Sequence, residues 1–520
     1  MQKFIIILLL ITFVFGLKVL EHECGHDKFK QSYKYESIPQ NPVEESSDVR
    51  NLQYKYPRNM LITYNMDYFK PLAASHLKDK LISITNSCEK ALNLAIQYFS
   101  RLIRILPKKE SDMRYKYSNK KCGLVPIPDI DRTQAQNSDL HLYVSYTVEP
   151  GNNTLAHAGW CQFIDRLGPT HGTVNFNLGL LAAKNLEDPI EFEDLMEIVI
   201  HEITHILGFS DDDVKRWVNS NGLPYTNPIT KQIIRGVEKQ LLSTPHVLAF
   251  AKKYYGCENL KGMPLEDQGG SGSAGSHWEQ TAIADEYMNA SISKTQAYFS
   301  AFTTNLLRDT GFYVEVNASM EEATNYGQGE GCQFILGRCD QSIREFCRPV
   351  QDDGLCDYYH HGSSVCTIGQ FNDPNCNTSS TYSNGKCWDT SSDLNTQQSQ
   401  LAYGIKFGIN SKCFNVTLLN KKFVPSNKLQ GKCYQHYCQH NSQQLIIQVG
   451  NQKVICTKNQ AQMQVDGYNG YIQCPENIQE FCNFKKFCPN YCSANGYCLK
   501  GQCNCDKGFY GSDCSLYSYQ

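Results

Sequence analysis

Apolar residues in this chain arrive first as an unbroken run, then at helical and strand spacings, and last as isolated positions between cysteines. The run is Phe4 to Phe15, between Lys3 and Gly16. It is too short to span a bilayer comfortably and reads as a secretory signal peptide over residues 1–16. Polar sequence with Pro39, Pro42 and the Glu44-Glu45 pair follows to about residue 57, as expected of a propeptide and its processing region. From Met60 the pattern becomes globular. Met60 to Tyr64 reads as a short strand, and Leu77 to Leu106 as a long helix carrying Leu81, Ile82, Cys88, Leu92, Leu94, Ile96, Phe99 and Leu102. Leu140 to Tyr146 and Gly172 to Asn177 are strand-like. Leu195, Met196, Ile198, Val199 and Ile200 then lead a buried helix into His201, and Gly208 suits its stop. Helical spacing is read again at Ile229 to Leu242 and at Pro245 to Tyr255. Beyond residue 331 helical periodicity fades. The predicted fold class is α+β, a mixed sheet and a long helix with a second buried helix, followed by disulfide-stapled regions.

Composition sharpens this in one respect. The 520 residues carry a net charge of −3, so nothing points to nucleic acid or an anionic membrane surface as partner. Of the 24 cysteines, the great majority lie from Cys332 onward, without the paired spacing of zinc fingers. Disulfides formed in an oxidising compartment are the better reading, which places the protein in the secretory pathway, extracellular or at the cell surface. Ser515 to Gln520 has no apolar tail of the kind a glycosylphosphatidylinositol anchor requires. Sequons at Asn152, Asn289, Asn317, Asn377 and Asn415 are open to glycans, with Asn289 expected to be too enclosed.

The chemistry centres on His201-Glu202-Ile203-Thr204-His205. Residues four apart share a helix face, so His201 and His205 can aim both imidazoles at one metal ion with Glu202 beside them. This is the H-E-x-x-H arrangement, two zinc ligands and a general base. The third ligand is open from spacing alone. The compact arrangement would place a histidine where Asp211 stands, and His246, His277 or a downstream Glu are the alternatives. His277 follows a Gly/Ser-rich loop, Gln268 to Ser276, and precedes Met288 by eleven residues, a spacing that admits a Met-turn below the metal. His141, His157 and His171 have no partner at ligand spacing and are expected at the surface or in supporting roles. Cys24, in His22-Glu23-Cys24-Gly25-His26-Asp27, is either a disulfide partner or an inhibitory thiolate for the same metal.

Together these residues resemble the leishmanolysin family of the metzincin clan. The likeness rests on His201 to Ser210, Leu265 to Gly270, Gly275 to Glu279, Asp285 to Met288 and Leu306 to Tyr313, with Thr154 to Ala156 and Val174 to Asn177 upstream. The resemblance implies His277 as third zinc ligand, Met288 as the Met-turn residue and Cys24 as a zymogen switch in an H-x-C-x-H-D propeptide element. It implies one catalytic Zn²⁺, Glu202 as general base, and protein or peptide substrates cut by an endopeptidase. The expected division is a propeptide at 17–57, an N-terminal catalytic domain at 58–215, a central domain at 216–330, a Cys-rich domain at 331–480 and a small module at 481–520. That last module resembles an EGF-like repeat, a candidate contact for a cell-surface or extracellular partner. Its likeness implies the pairs Cys488–Cys498, Cys492–Cys503 and Cys505–Cys514. With Cys24 set aside an odd number of cysteines remains, so at least one is free or pairs between chains. The rival reading is an inactive exported adhesion protein on a metal-stabilised scaffold, against which the intact Glu202 argues.

Overall fold

A computed structural model describes residues 24–26, 56–69, 78–268, 274–291, 296–439, 444–499 and 501–518. The signal peptide, most of the propeptide and loop residues 269–273 lie outside them. A four-stranded sheet anchors the N-terminal half: β1 (Ile62–Asn65), β2 (Leu140–Thr147), β3 (Ala156–Ile164) and β4 (Gly168–Asn177), ordered β1-β2-β4-β3. β1, β2 and β4 run parallel, and β3 returns antiparallel along the edge. All ten residues of β4 are buried: β2 and β3 flank it, Gly172 faces Ile206 and Thr173 faces Gly123 on the other side. β3 has no counterpart among the expected strands. Its alternation is broken by register shifts at Trp160 and Gln162, which hide the period of two.

Helix α1 (Lys78–Leu102) ends four residues short of the expected Leu106. Ile103–Ile105 is instead a strand between Arg58–Asn59 and Glu315–Val316. Two β-branched residues flanking Arg104, buried, exposed, buried, favour the pleat over another helical turn. Helix α2 (Pro189–Leu207) carries the paired histidines. Asp188 caps its start, its carboxylate accepting from the amides of Ile190 and Glu191 at 2.9 and 3.2 Å, with Pro189 in the first turn. Gly208, at φ 138°, stops it; a Cβ there would sit 3.0 Å from the Thr310 methyl.

The expected helix over Ile229–Leu242 is a β-hairpin, β5 (Ile229–Ile234) and β6 (Val237–Leu242), paired from Ile229↔Leu242 to Ile234↔Val237. Arg235 and Gly236 turn it with φ of 52° and 83°. Two successive positive-φ residues make a two-residue hairpin turn, and the β-branched Ile229, Thr230, Ile233, Ile234 and Val237 suit strands. The apolar positions fit a helical wheel as well, and only the turn chemistry separates the two. Helix α3 (Pro245–Tyr255) matches its expected bounds, and α4 (Ala301–Asp309) packs on it.

In the C-terminal region Ser411–Val416, Gln430–Gln439, Gln444–Val449 and Gln452–Cys456 form the body of a six-stranded antiparallel sheet. Six disulfides staple this region, Cys339–Cys376, Cys347–Cys366, Cys356–Cys413, Cys387–Cys433, Cys438–Cys482 and Cys456–Cys474. Cys257–Cys332 joins it to the end of α3, and Cys122–Cys161 ties a loop to β3. The last six cysteines pair Cys488–Cys498, Cys492–Cys503 and Cys505–Cys514, the connectivity that the EGF-like resemblance implies. Cys24 and Cys88 stand outside the disulfides. Cys88 is wholly buried on α1, which accounts for the odd thiol and keeps it from another chain; burial pushes its pKa up. One contiguous hydrophobic core runs from Met60 to Tyr497. Among the described residues no helix is long and apolar enough to cross a membrane.

Candidate metal site

His201 and His205 lie on the last two turns of α2, both fully buried. Each ring is aimed by its Nδ1 edge. His201 Nδ1 donates to the Tyr287 carbonyl at 2.5 Å, and His205 Nδ1 to the Phe209 carbonyl at 2.6 Å, just past the helix stop. A neutral imidazole that donates through Nδ1 presents a lone pair at Nε2. The two Nε2 atoms lie 3.0 Å apart. Two lone pairs at that distance repel unless a cation lies between them. Two imidazoles on one tetrahedral zinc would have nitrogens about 3.3 Å apart, from Zn–N bonds of about 2.05 Å.

His277 completes the set from a different part of the chain. Its carbonyl accepts from the Glu266 amide at 2.9 Å, and the next amide, Trp278, donates to Met288 O at 2.9 Å. The ring stacks on His201 at 5.3 Å and meets His205 edge-on at 4.8 Å. Cys24 brings the fourth donor. The ligand atoms of Cys24, His201, His205 and His277 all lie within 4.8 Å of one another, and all four residues are buried. Neutral imidazole and thiolate suit zinc among the common metals, so the donor set fits that ion. Cys24 Sγ is 3.3 Å from His205 Nε2 and 3.7 Å from Glu202 Oε1. Glu202 thus faces the position that the thiol fills. Its carboxylate is fully buried.

The short described segment around Cys24 is held on both sides. Cys24 N donates to Ala290 O at 3.4 Å, beside Met288, while His26 Nδ1 donates to Ala158 O of β3 at 2.7 Å. The His26 ring stacks on His205 at 4.2 Å, nearly parallel. Gly25 lies so close to the start of β3 that a Cβ would meet Thr154 Cγ2 at 2.7 Å and His157 Cβ at 3.0 Å. His22, Glu23 and Asp27 of the same motif fall outside the described residues.

Met288 is fully buried in the turn whose preceding carbonyl holds His201. Glu286 braces that turn, taking the Met288 amide at 2.5 Å and the Ser300 amide, Ser300 hydroxyl and Thr303 hydroxyl at 3.2, 2.9 and 2.5 Å. Asn289 adds a bond from Nδ2 to the Ile283 carbonyl at 2.9 Å, and is buried as its setting predicts for an unused sequon. These two residues, His26, and the Phe209 and Tyr287 carbonyls escape a reading by ligand spacing. Asp285 and Asn289 flanking Glu286-Tyr287-Met288 are the turn signal that marks Glu286, Asn289 and the Tyr287 carbonyl, and it points to neither His26 nor the Phe209 carbonyl.

The other candidates are elsewhere. Asp211 is exposed, its amide donating to Ser276 Oγ at 3.3 Å. His246 pairs with Asp309 at 2.7 Å at the start of α3. His141 and His171 are buried as register partners in the sheet, a correction to any surface role: the small size of neutral imidazole and bonds such as His141 Nδ1 with Thr63 Oγ1 at 2.8 Å let them sit in the core. Burial holds His141 and His157 down to about 4.

Comparison with known proteins agrees with this geometry. The leishmanolysin profile, Peptidase_M8, matches residues 86–351, just over half of the chain. A leishmanolysin homolog of Crithidia fasciculata is 33% identical over 226 residues, 42% of this chain and 31% of that protein. The ciliated left-right organizer metallopeptidase of Mus musculus is 28% identical over 381 residues, 68% of this chain and 52% of its own. Leishmanolysin of Leishmania major is 28% identical over 257 residues, 48% and 39% of the two chains. The chain therefore spans between about a third and about half of the length of these relatives. On the strength of the profile match, with three histidines and a cysteine converging inside it and beside it, this chain belongs to the leishmanolysin family, peptidase family M8.

Proposed function

We propose that the protein is a zinc-dependent endopeptidase made as a latent precursor. The convergence of Cys24, His201, His205 and His277 beside Glu202 carries this reading. His201, His205 and His277 would hold the ion through Nε2. When bound, zinc supplies Lewis acidity toward water and a peptide carbonyl. Glu202 takes the proton of the attacking water and delivers it to the leaving amine, and it is buried beside the position that the thiol fills and that the water would occupy. Cys24 keeps the protein silent by filling that position, held there by its own amide and by His26. The eleven disulfides support an oxidising, exported setting, and the tail with EGF-like pairing is the part suited to an extracellular partner.

The test is cleavage of a denatured protein by the full chain and by its Cys24→Ser variant. The wild-type chain is expected to be silent until its N-terminal segment is cut, and the variant to cleave at once and stop on zinc chelation. A Cys24→Ser chain that holds one zinc and cuts nothing contradicts the proposal.

A further inference from the structure

Beneath the metal site a cation reaches in from the far end of the chain. Lys485 lies between the Cys-rich sheet and the final six-cysteine module, yet its side chain is 4% exposed. Nζ donates to Glu197 Oε1 at 3.2 Å, Glu322 Oε2 at 3.3 Å and Ala297 O at 2.7 Å, and sits 5.2 Å from the centre of the Tyr287 ring. Glu197 lies on α2 one turn before His201. Its Oε1 also accepts from the Tyr287 hydroxyl at 3.3 Å, and Tyr287 is the residue whose carbonyl aims His201. The Lys485 amide donates to the Tyr298 hydroxyl at 3.1 Å, and Tyr298 O accepts from the Tyr287 amide at 3.0 Å. The ammonium and amide of one residue thus meet both the metal-site helix and the two segments that frame Met288.

The charge arithmetic explains why the contact is demanding. Glu197 and Glu322 are nearly as buried as Lys485, and Glu193, one turn earlier on α2, is buried too. Buried carboxylates need a countercharge, and removing a single partner is far costlier than removing both. The final module continues this hold on the N-terminal half. Tyr497 packs edge-on against Tyr98 of α1, and Arg101 of α1 lies over the Tyr497 ring at 4.3 Å and pairs with Asp506 at 3.4 Å.

We propose that Lys485 is a positioning residue for His201: through Glu197 and Tyr287 it makes the geometry of the metal site depend on the seating of the C-terminal segment. The tail is then an integral part of the site's support rather than a detachable appendage. The effect on metal binding rests on the zinc reading above, whereas the effect on the Met288 turn does not.

The experiment takes the full chain as Lys485→Met, Glu197→Gln/Lys485→Met and Tyr287→Phe. It reads zinc affinity by competition with a chromophoric chelator and backbone hydrogen exchange by peptide. Lys485→Met is expected to weaken zinc binding by about 10-fold or more, the scale of lost support behind a metal ligand. Exchange should rise in peptides covering residues 285–300 and not in the Gln430–Gln439 strand. The double variant, which removes the Lys485–Glu197 pair together and leaves Glu322 as the carboxylate without its cation, is expected to recover part of both. Wild-type affinity and wild-type exchange in folded Lys485→Met overturn the proposal. If that variant does not fold, Tyr287→Phe decides, since it removes one bond and no charge. It should weaken zinc about fivefold, the worth of one hydrogen bond, and unchanged affinity overturns the coupling. If the wild-type chain binds no zinc, the metal reading falls, and the exchange measurement alone settles the positioning role.

Discussion

At the scale of single residues the site is built from aimed lone pairs. Two backbone carbonyls, those of Tyr287 and Phe209, fix the tautomers of His201 and His205 and leave their Nε2 atoms facing each other. Glu202 faces Cys24 rather than the carbonyls that aim the two histidines, so its role can be separated from theirs. Glu202→Gln in the Cys24→Ser chain is expected to keep one zinc and lose at least about 100-fold in kcat/KM, the usual worth of a general base. Residual turnover near that of Cys24→Ser would remove Glu202 from the chemistry. His277→Ala should lose metal itself, read as zinc retained after dialysis. Retention at full affinity would sink its assignment as a ligand. Which histidine is third was not legible from spacing, because a hairpin and a helix, Ile229–Leu242 and Pro245–Tyr255, separate His277 from α2. Cys24 was ambiguous for a similar reason: nothing local says whether a lone cysteine meets a sulfur or a metal.

At the scale of elements, caps and turns decide more than periodicity does. α2 was legible because an apolar run, an Asp-Pro start and a glycine stop all agree. The β5–β6 hairpin was not, because Ile229, Ile233, Val237 and Leu241 recur at four residues while also serving a pleat. Gly236 is the informative residue there, and its φ of 83° with open space around the Cβ position makes its cost purely conformational. Gly236→Ala is expected to destabilise the protein by about 1 kcal/mol, measured by chemical denaturation. An unchanged midpoint would place no demand on that turn. Removing the α2 cap, Asp188→Ala, should likewise cost about 1 kcal/mol. The brace of Glu286 was invisible for another reason, since its partners Ser300 and Thr303 lie across a loop.

At the scale of the whole molecule, pairings far apart in sequence hold the parts together, and these lie beyond any local reading. Lys485 and Glu197 are one instance; Cys257 and Cys332 are another. Buried neutral histidines add a pH dependence. His141 and His361 are held down to about 4, and His436 to about 3, chiefly by burial. Their folded pKa values lie below the unfolded value of about 6.5, so the unfolded chain binds more protons between these limits. Stability from these groups is therefore full above about pH 6.5 and falls as pH drops towards 4. Each contributes at most about 3 kcal/mol over that window. Buried carboxyls work in the opposite sense, Glu286 being pushed up to about 7 by burial, so the histidine contribution is read as a difference: between pH 7 and 4.5 the urea midpoint should fall further, or rise less, in the wild-type chain than in His141→Gln. An equal pH dependence in the two chains would contradict the buried neutral state of His141.

Under the proposed function, three histidines and one cysteine share a single zinc ion. Zinc K-edge absorption of the full chain tests it most directly. The expected spectrum has one sulfur at about 2.3 Å and three imidazole nitrogens at about 2.0–2.1 Å, with the sulfur lost and the nitrogens kept in Cys24→Ser. A wild-type spectrum without sulfur, or one with fewer than three imidazoles, would contradict the account.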